Sequence, residues 1–332
     1  MRVLTRSEVE GIVTMPEAIL TMRRTMRLFS SGGVDQPLRT ILRPADTSDL
    51  LGTMPCYVRS ASRGDSGVFG TKVMVLKPDN PAKGRSLHSG VVIVFDPDTG
   101  APLTLLDAEA VTALRTAAVS AVATDVLSRP DARALGMLGA GVQARSHLRA
   151  MLAVRPDLQR IVLWNRTRSR AEQFRDWAAH ELGCAVEIAG SVADALQDAD
   201  IVCSTTATKE PLVDAGHLRA GAHVNAVGAS FRDHREFTSA AVARTSIFVD
   251  SRRSALAESG DIGVAIESGA IGEAEILAEL GEVLLGRHPG RRKPEEVTFF
   301  KSLGLAAQDV DLGLSIGRAA EQVGVGSVVL FG

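Results

Sequence analysis

Aromatic residues are scarce in this 332-residue chain: Phe, Tyr and Trp make up 4% of it, with one Tyr and two Trp. Its core must therefore be built from Val, Leu, Ile and Ala, a composition that suits parallel sheets whose strands are buried on both faces. A basic surplus is also lacking, since 37 Lys and Arg against 39 Asp and Glu leave a formal net charge of -2. Nothing is available to neutralise a run of phosphates, which argues against a nucleic-acid partner. The three cysteines, Cys56, Cys184 and Cys203, lie too far apart for a disulfide framework or a zinc site. They read as small core residues, and no metal is expected. No uninterrupted apolar run approaches the ~20 residues of a membrane helix. The opening MRVLTRSEVE lacks the apolar stretch and small-residue cleavage site of a signal peptide. A cytoplasmic protein without a membrane partner is the expectation.

What is present is a 45% hydrophobic composition over a length that suits two domains, each with its own core. A helix is expected over Met15 to Phe29, with Pro16 at its first turn and a Ser30-Ser31-Gly32-Gly33 breaker after it. Short strands follow at Arg39 to Leu42, Gly70 to Leu76 and Gly90 to Asp96, then a helix from Ala108 to Leu127. From Ala132 the pattern becomes regular: strands at Ala134-Leu138, Ile161-Trp164, Val186-Ile188, Ile201-Ser204, His223-Val227 and Ile247-Val249, with helices between the earlier ones. Such alternation implies right-handed crossovers and a doubly wound sheet. Beyond Asp250 the chain reads as helix and loop, ending in a helix from Gly304 to Val323. The expected class is α/β, a Rossmann domain over residues 118–304 and a mixed α+β domain over residues 1–117, completed by residues 305–332.

The chemistry starts at Gly139-Ala140-Gly141-Val142-Gln143-Ala144, which links the strand Ala134-Leu138 to a helix. In a dinucleotide fold the first glycine makes the turn, the second lets backbone approach a pyrophosphate, and a small third residue lets helix and strand pack. The N–H groups of Val142 and Gln143 then face the phosphates at the positive end of the helix. The strand Ile161-Trp164 ends in Asn165-Arg166-Thr167-Arg168, without the carboxylate that would accept hydrogen bonds from the NAD ribose. Arg166 suits a 2'-phosphate, with Asn165, Thr167 and Arg168 supporting it, so NADP(H) is preferred and NAD(H) is the other option. Three basic residues sit in apolar or glycine-rich settings: Arg39, Lys72 and Arg115. A guanidinium inside VTALRTAAVSAVA is costly to bury without a partner, and an anionic substrate is one such partner. A structural ion pair is the alternative.

Taken in order along the chain, QPLRT, GTKVMVL, FDPDTGAPL, VTALRTAAVSA, LGAGVQA, WNRTRSRA, NAVGAS, FVDSRRSALAESGD and TFFKSLG resemble the ornithine cyclodeaminase/mu-crystallin family. The motifs lie nearer its ketimine reductases and alanine dehydrogenases than its true cyclodeaminases. The resemblance implies that Arg39, Lys72 and Arg115 face the nicotinamide. The arginines would grip a substrate carboxylate, Lys72 would stand on the carbonyl or imine side, and Lys72 and Arg115 would be catalytic. It also implies cofactor contacts from His88, Thr116, Thr205, Ala207, Val227, Ala229 and Leu303, and a homodimer formed through the first domain. One departure bears on mechanism. Where cyclodeaminases of the family carry Gly-Asp, this chain has Ala229-Ser230, and serine is no proton shuttle near neutral pH. Asp233 and Asp261 read as surface or helix-cap residues. The expected function is NADPH-dependent reduction of small α-imino acids, cyclic or N-substituted, to L-amino acids. The alternatives are oxidative deamination of a small amino acid, ornithine cyclodeamination, and a crystallin-like protein that binds NADPH without turnover.

Overall fold

The computed structural model describes residues 1–60 and 66–330. The expected domain ranges include 61–65 and 331–332, which lie outside the described residues. Two compact units are present: residues 1–115 with 304–332, and residues 116–303. Along the first run come β1 (Arg2–Leu4), α1 (Arg6–Ile12) and α2 (Met15–Ser30), then β2 (Val34–Asp35), β3 (Thr40–Leu42), β4 (Leu50–Val58), β5 (Val68–Leu76), β6 (His88–Phe95) and β7 (Pro102–Asp107). Helix α2 begins where its sequence says it should: the Glu17 carboxylate accepts from the Thr14 N–H at 2.8 Å and from the Thr14 hydroxyl at 2.7 Å. Helix α3 (Ala108–Leu127) follows. It is long and apolar enough to span a membrane, but 78% of its most apolar window is buried within the fold. The sequence reading had found no such run, because Glu109, Arg115 and Asp125 interrupt it.

The second unit continues with β8 (Ala134–Leu138), α4 (Val142–Val154), β9 (Arg160–Trp164), α5 (Arg168–Leu182), β10 (Glu187–Ile188), α6 (Val192–Leu196), β11 (Ile201–Ser204) and β12 (His223–Ala226). Then come α7 (Ser239–Ala243), β13 (Ser246–Val249), α8 (Arg252–Glu258), α9 (Gly260–Glu267), β14 (Ile276–Glu279), α10 (Leu280–Leu284) and β15 (Thr298–Lys301). All pairings are parallel, in the order β10-β9-β8-β11-β12-β15-β13-β14. The chain reverses direction across the sheet between β8 and β11, the switch point at which doubly wound sheets hold their ligands. Gly136 in β8 is required by packing, since a Cβ there would stand 2.7 Å from the Ala195 carbonyl of α6.

The reading of residues beyond Asp250 as helix and loop is corrected here. Thr298-Phe299-Phe300-Lys301 forms β15, buried at every position and inserted between β12 and β13. Four residues buried on both faces show neither alternation nor helical period, so the strand carries no pattern to read. Strand β14 was also unread: its alternation of buried and half-buried residues spans only four positions, Ile276–Glu279. In the first unit β4 went unread because Gly52 and Pro55 interrupt it, although it pairs with β5 over nine residues from Leu50 opposite Leu76 to Val58 opposite Val68.

Helix α11 (Ala306–Val323) and β16 (Ser327–Val328) complete the first unit. Its sheet runs β16-β1-β7-β6-β5-β4-β2, with β3 on β4. Helix α11 lies directly on it through small residues: a Cβ on Gly317 would meet the Thr104 hydroxyl at 2.5 Å, and one on Gly70 would meet Val310 at 2.6 Å. That contact brings Gln308 and Asp309 of the helix into the sheet's buried face.

Candidate functional site

In the second unit the glycine turn runs from the end of β8 to the start of α4. Gly139 has φ +97°, a left-handed value that favours glycine, and a Cβ there would lie 3.0 Å from the Thr205 carbonyl. A Cβ on Gly141 would meet nothing within 4 Å, so the first turn of α4 opens onto free space with its N–H groups unpaired inside the helix. Val142 is half exposed, and Ala144 is fully buried, letting α4 approach the sheet. Beside this turn the Gln143 Oε1 is buried and accepts no hydrogen bond among the described residues. A helix start with open space and free N–H groups fits a bound pyrophosphate, whose oxygens accept.

At the end of β9 the Asn165 Nδ2 donates to the Thr167 carbonyl at 2.9 Å and shapes the turn into α5. Arg166 is exposed and makes no ion pair or hydrogen bond among the described residues. Arg168 is engaged with Glu172 one turn along α5, at 3.2 Å, with both side chains exposed. The two arginines therefore differ in surroundings: Arg166 is exposed, and Arg168 makes an exposed pair one turn along the helix.

Two further loops leave this edge of the sheet. After β11, the Thr205 N–H and hydroxyl both donate to the Leu138 carbonyl, at 2.9 and 3.0 Å, and Ala207 is exposed. After β12, Val227 and Ala229 are buried and Ser230 is half-buried. Leu303 is buried, and its N–H donates to the Asp250 carboxylate at 2.7 Å. Thr116 is buried in α3. Asp233 is exposed and lies 2.9 Å from His234 Nδ1. Asp261 is not a surface residue: it is 1% exposed, accepts from the backbone N–H groups of Glu236 and Phe237, and pairs with Lys301 at 2.8 Å. Its place in the first turn of α9 suggested a solvated cap, whereas the long-range partners that bury it are absent from its local sequence.

In the first unit Lys72, Arg115 and Asp309 are buried together, at 4%, 5% and 0% exposure. Lys72 Nζ stands 2.7 Å from one Asp309 oxygen, and Arg115 Nε donates to the other at 3.0 Å. Arg115 Nη1 donates to Gln308 Oε1 at 3.2 Å, while Nη2 meets no acceptor among the described residues. Gly304, with φ +85°, makes room for this guanidinium: a Cβ there would press to 2.5 Å from Nη1. Arg39 reaches the Gly304 carbonyl at 3.5 Å, and Lys72 Nζ lies 3.4 Å from the Thr112 hydroxyl. Burial pushes the Lys72 ammonium down to about 8; Asp309 pulls it back up, and Arg115 and Arg39 add to the fall. Burial works to raise the Asp309 carboxyl, but Arg115 and Lys72 outweigh it and hold the group below its usual range. His88, half-buried at the start of β6, is pushed down by burial, with Glu109 opposing and Lys72 assisting.

Asp309 is thus the protein partner of the costly guanidinium, and the sequence reading missed it. The available signal was a pair of acids, Asp309 and Asp311, inside the largely apolar helix stretch AAQDVDLGLSIG. With two cations on one carboxylate, the Lys72–Arg115–Asp309 cluster keeps a positive surplus while Lys72 is protonated.

The profile of the ornithine cyclodeaminase/mu-crystallin family matches residues 1–320. The chain belongs to this family. A Delta(1)-pyrroline-2-carboxylate reductase of Bacillus cereus is 35% identical over 332 residues, the whole of both chains. A ketimine reductase mu-crystallin of Macropus fuliginosus is 39% identical over 280 residues, covering 84% of this chain and 83% of the relative. The structure of Thermococcus litoralis Delta(1)-pyrroline-2-carboxylate reductase in complex with NADH and L-proline superposes with a TM-score of 0.94 at 35% identity, covering 99% of this chain and 100% of that one. This family member is a nicotinamide-dependent oxidoreductase, and the glycine turn fits that cofactor.

Removing Asp309's charge leaves two buried cations without their shared anion. Asp309→Asn is expected to destabilise the folded chain by about 3–5 kcal/mol, the scale of a broken buried ion pair. Chemical denaturation monitored by circular dichroism reads this, and an unchanged midpoint would show that the cluster is not held by charge.

Proposed function

We propose that this chain reduces cyclic or N-substituted α-imino carboxylates to L-amino acids, with NADPH as its preferred reductant. Its reaction is that of an oxidoreductase acting on carbon–nitrogen bonds. The observation that carries the reading is the Arg115 cluster: Asp309 and Gln308 hold two sides of the guanidinium, and Nη2 is left without an acceptor among the described residues. A substrate carboxylate supplies that acceptor and offsets the positive surplus. Arg39 shares the anion, and the Lys72 ammonium stands on the imine side.

When bound, a nicotinamide dinucleotide would supply hydride for the imine carbon. The chain's residues orient the acceptor and manage one proton. Arg115, fixed by Asp309 and by the space at Gly304, sets the angle of the carboxylate and with it the face of the imine presented. Lys72 Nζ gives its proton to the neutral imine nitrogen, making the carbon the better hydride acceptor, and the neutral amine left behind is reprotonated by solvent. Ser230 does not titrate near neutral pH, so the several proton transfers of a cyclodeaminase lack their shuttle, whereas imine reduction needs only the one proton that Lys72 supplies. Exposed Leu20, Leu42 and Phe69 of the first unit support the accompanying proposal of a homodimer.

The direct experiment follows NADPH absorbance with Δ1-pyrroline-2-carboxylate, with keto acids plus and minus amine, and with ornithine. Turnover on the cyclic imine, and on keto acids only when amine is added, is expected; binding without turnover on any of them would sink the enzymatic reading. Arg115→Lys keeps the charge but loses the planar grip, and kcat/KM for the imine is expected to fall by on the order of 10², with NADPH affinity unchanged. A variant that is merely less stable, with normal kinetics per folded molecule, would remove Arg115 from substrate binding.

Cofactor choice is tested at Arg166, the exposed cation at the end of β9. Arg166→Asp should weaken NADPH by about 1.5–3 kcal/mol while NADH changes little, as measured by fluorescence titration. A wild-type preference for NADH would contradict the assignment.

The pH dependence follows from Lys72. Its proton is present below the folded value of about 8 and lost as pH rises through it. Imine reduction should therefore decline above pH about 8, and Lys72→Met should abolish that limb of the kcat/KM profile. A limb of the same midpoint in the Met variant would assign the proton elsewhere.

A further inference from the structure

Between β12 and α7 the chain buries a carboxylate that the proposed chemistry leaves unused. Glu236 is 0% exposed, and both of its oxygens are engaged. Oε1 accepts from the Ser204 hydroxyl at 2.6 Å and from the Thr206 N–H and hydroxyl, each at 2.7 Å. Oε2 accepts from the Gly228 N–H at 2.7 Å, which also reaches the Ser204 carbonyl at 3.2 Å. One side chain thus ties the loop after β11 to the loop after β12. The two loops touch so closely that a Cβ on Gly228 would fall 1.8 Å from the Thr206 carbonyl.

A second layer holds the staple itself. Asp261 Oδ1 accepts from the backbone N–H groups of Glu236 and Phe237, at 2.8 and 3.0 Å, and Oδ2 from Lys301 Nζ at 2.8 Å. Lys301 ends β15, whose register places it beside Ala226 of β12. Glu236, Asp261 and Lys301 are all buried, carrying two acids and one base. Buried charges are a poor way to gain stability, because desolvation consumes most of the Coulombic gain, and apolar side chains of similar volume often do better. What such a network does supply is a single geometry: four donors converging on two oxygens tolerate little change in loop spacing.

We propose that Glu236 is a positioning residue for the dinucleotide. Its carboxylate fixes the spacing between the loops bearing Thr205 and Ala207 and those bearing Val227 and Ala229, and Asp261 with Lys301 fixes Glu236. The assignment rests on the oxidoreductase reading above, in which those four residues contact the cofactor. Glu236 touches neither substrate nor cofactor; it acts through the loops.

The test uses the full-length chain and three measurements: melting temperature without cofactor, NADPH affinity by fluorescence titration, and the primary isotope effect on imine reduction with 4-deuterated NADPH. Glu236→Gln keeps the shape but turns an amide N–H₂ toward the Gly228 N–H, setting donor against donor. NADPH Kd is expected to rise about tenfold or more, the scale of a lost charge-assisted hydrogen bond, and the isotope effect to grow as misaligned hydride transfer becomes rate-limiting. Glu236→Asp keeps the charge and should restore part of the affinity. If the Gln variant does not fold, Thr206→Val decides: it keeps the carboxylate, removes one donor, and should raise Kd about threefold or more. A purely structural role predicts lower melting temperatures with wild-type Kd and isotope effect per folded molecule, and that outcome overturns the proposal while leaving the reductase reading intact. A wild-type chain that binds neither NADPH nor NADH would overturn both.

Discussion

One buried carboxylate shared by two cations organises the chemistry of the first unit. Asp309 sits on α11 with no exposure to solvent, facing Lys72 from β5 and Arg115 from α3. None of the three is tolerable there alone, because an isolated charge in an apolar interior is expensive to desolvate. Together they are held, but the balance is deliberately incomplete: the anion satisfies part of each cation and leaves part of the guanidinium open. The glycines that seat α11 on the sheet, and Gly304 beneath the guanidinium, are the packing conditions under which this works. Fold and site are therefore coupled through backbone closeness more than through the charged residues themselves.

The second unit uses carboxylates differently at the two edges of its parallel sheet. At the N-terminal edge Asp200 accepts from the Arg133 and Ala134 N–H groups, at 2.8 and 3.1 Å, and pairs with Arg129 at 2.9 Å, which fastens the starts of β8 and β11. Arg129 and Arg219 keep that acid in contact with partly exposed cations, so it is an anchor that solvent can help to satisfy. At the C-terminal edge Glu236 and Asp261 are sealed from solvent, and backbone N–H groups and hydroxyls of the loops supply most of their partners. All three acids are buried, Asp200 at 7% exposure against 0% and 1% for Glu236 and Asp261, and they differ mainly in whether arginines or loop backbone satisfy them.

How much of this was legible in the sequence depends on how local each signal is. The glycine turn was readable because every part of its argument, strand, turn and helix start, falls within eleven consecutive residues. Arg115 stood out because a guanidinium amid alanines and valines violates local expectation. Its partner did not, since Asp309 is 194 residues away and an acid in a helix is ordinary by itself. Strand β15 was invisible for a related reason: four residues buried on both faces have no period, and their strand character comes from β12 and β13 on either side. Asp261 was misjudged because its position at a helix start is common on surfaces, and only the distant Lys301 and the backbone of Glu236 show that it is buried.

The pairing of Arg115 with Asp309 also changes what recognition of a substrate means here. A guanidinium waiting for its first anion would be mobile and would lose rotational freedom on every binding event. One already fixed along its Nε edge presents its remaining N–H groups in a set direction, so ordering it costs the complex little. In the proposed reaction, the same acid that would oppose substrate charge over distance would thereby improve orientation at contact. Orientation is the larger demand in the proposed hydride transfer, because the acceptor carbon must meet the hydride along one line while its charge only has to be balanced approximately. On that argument Asp309 would belong to the proposed substrate site together with the two cations that it holds.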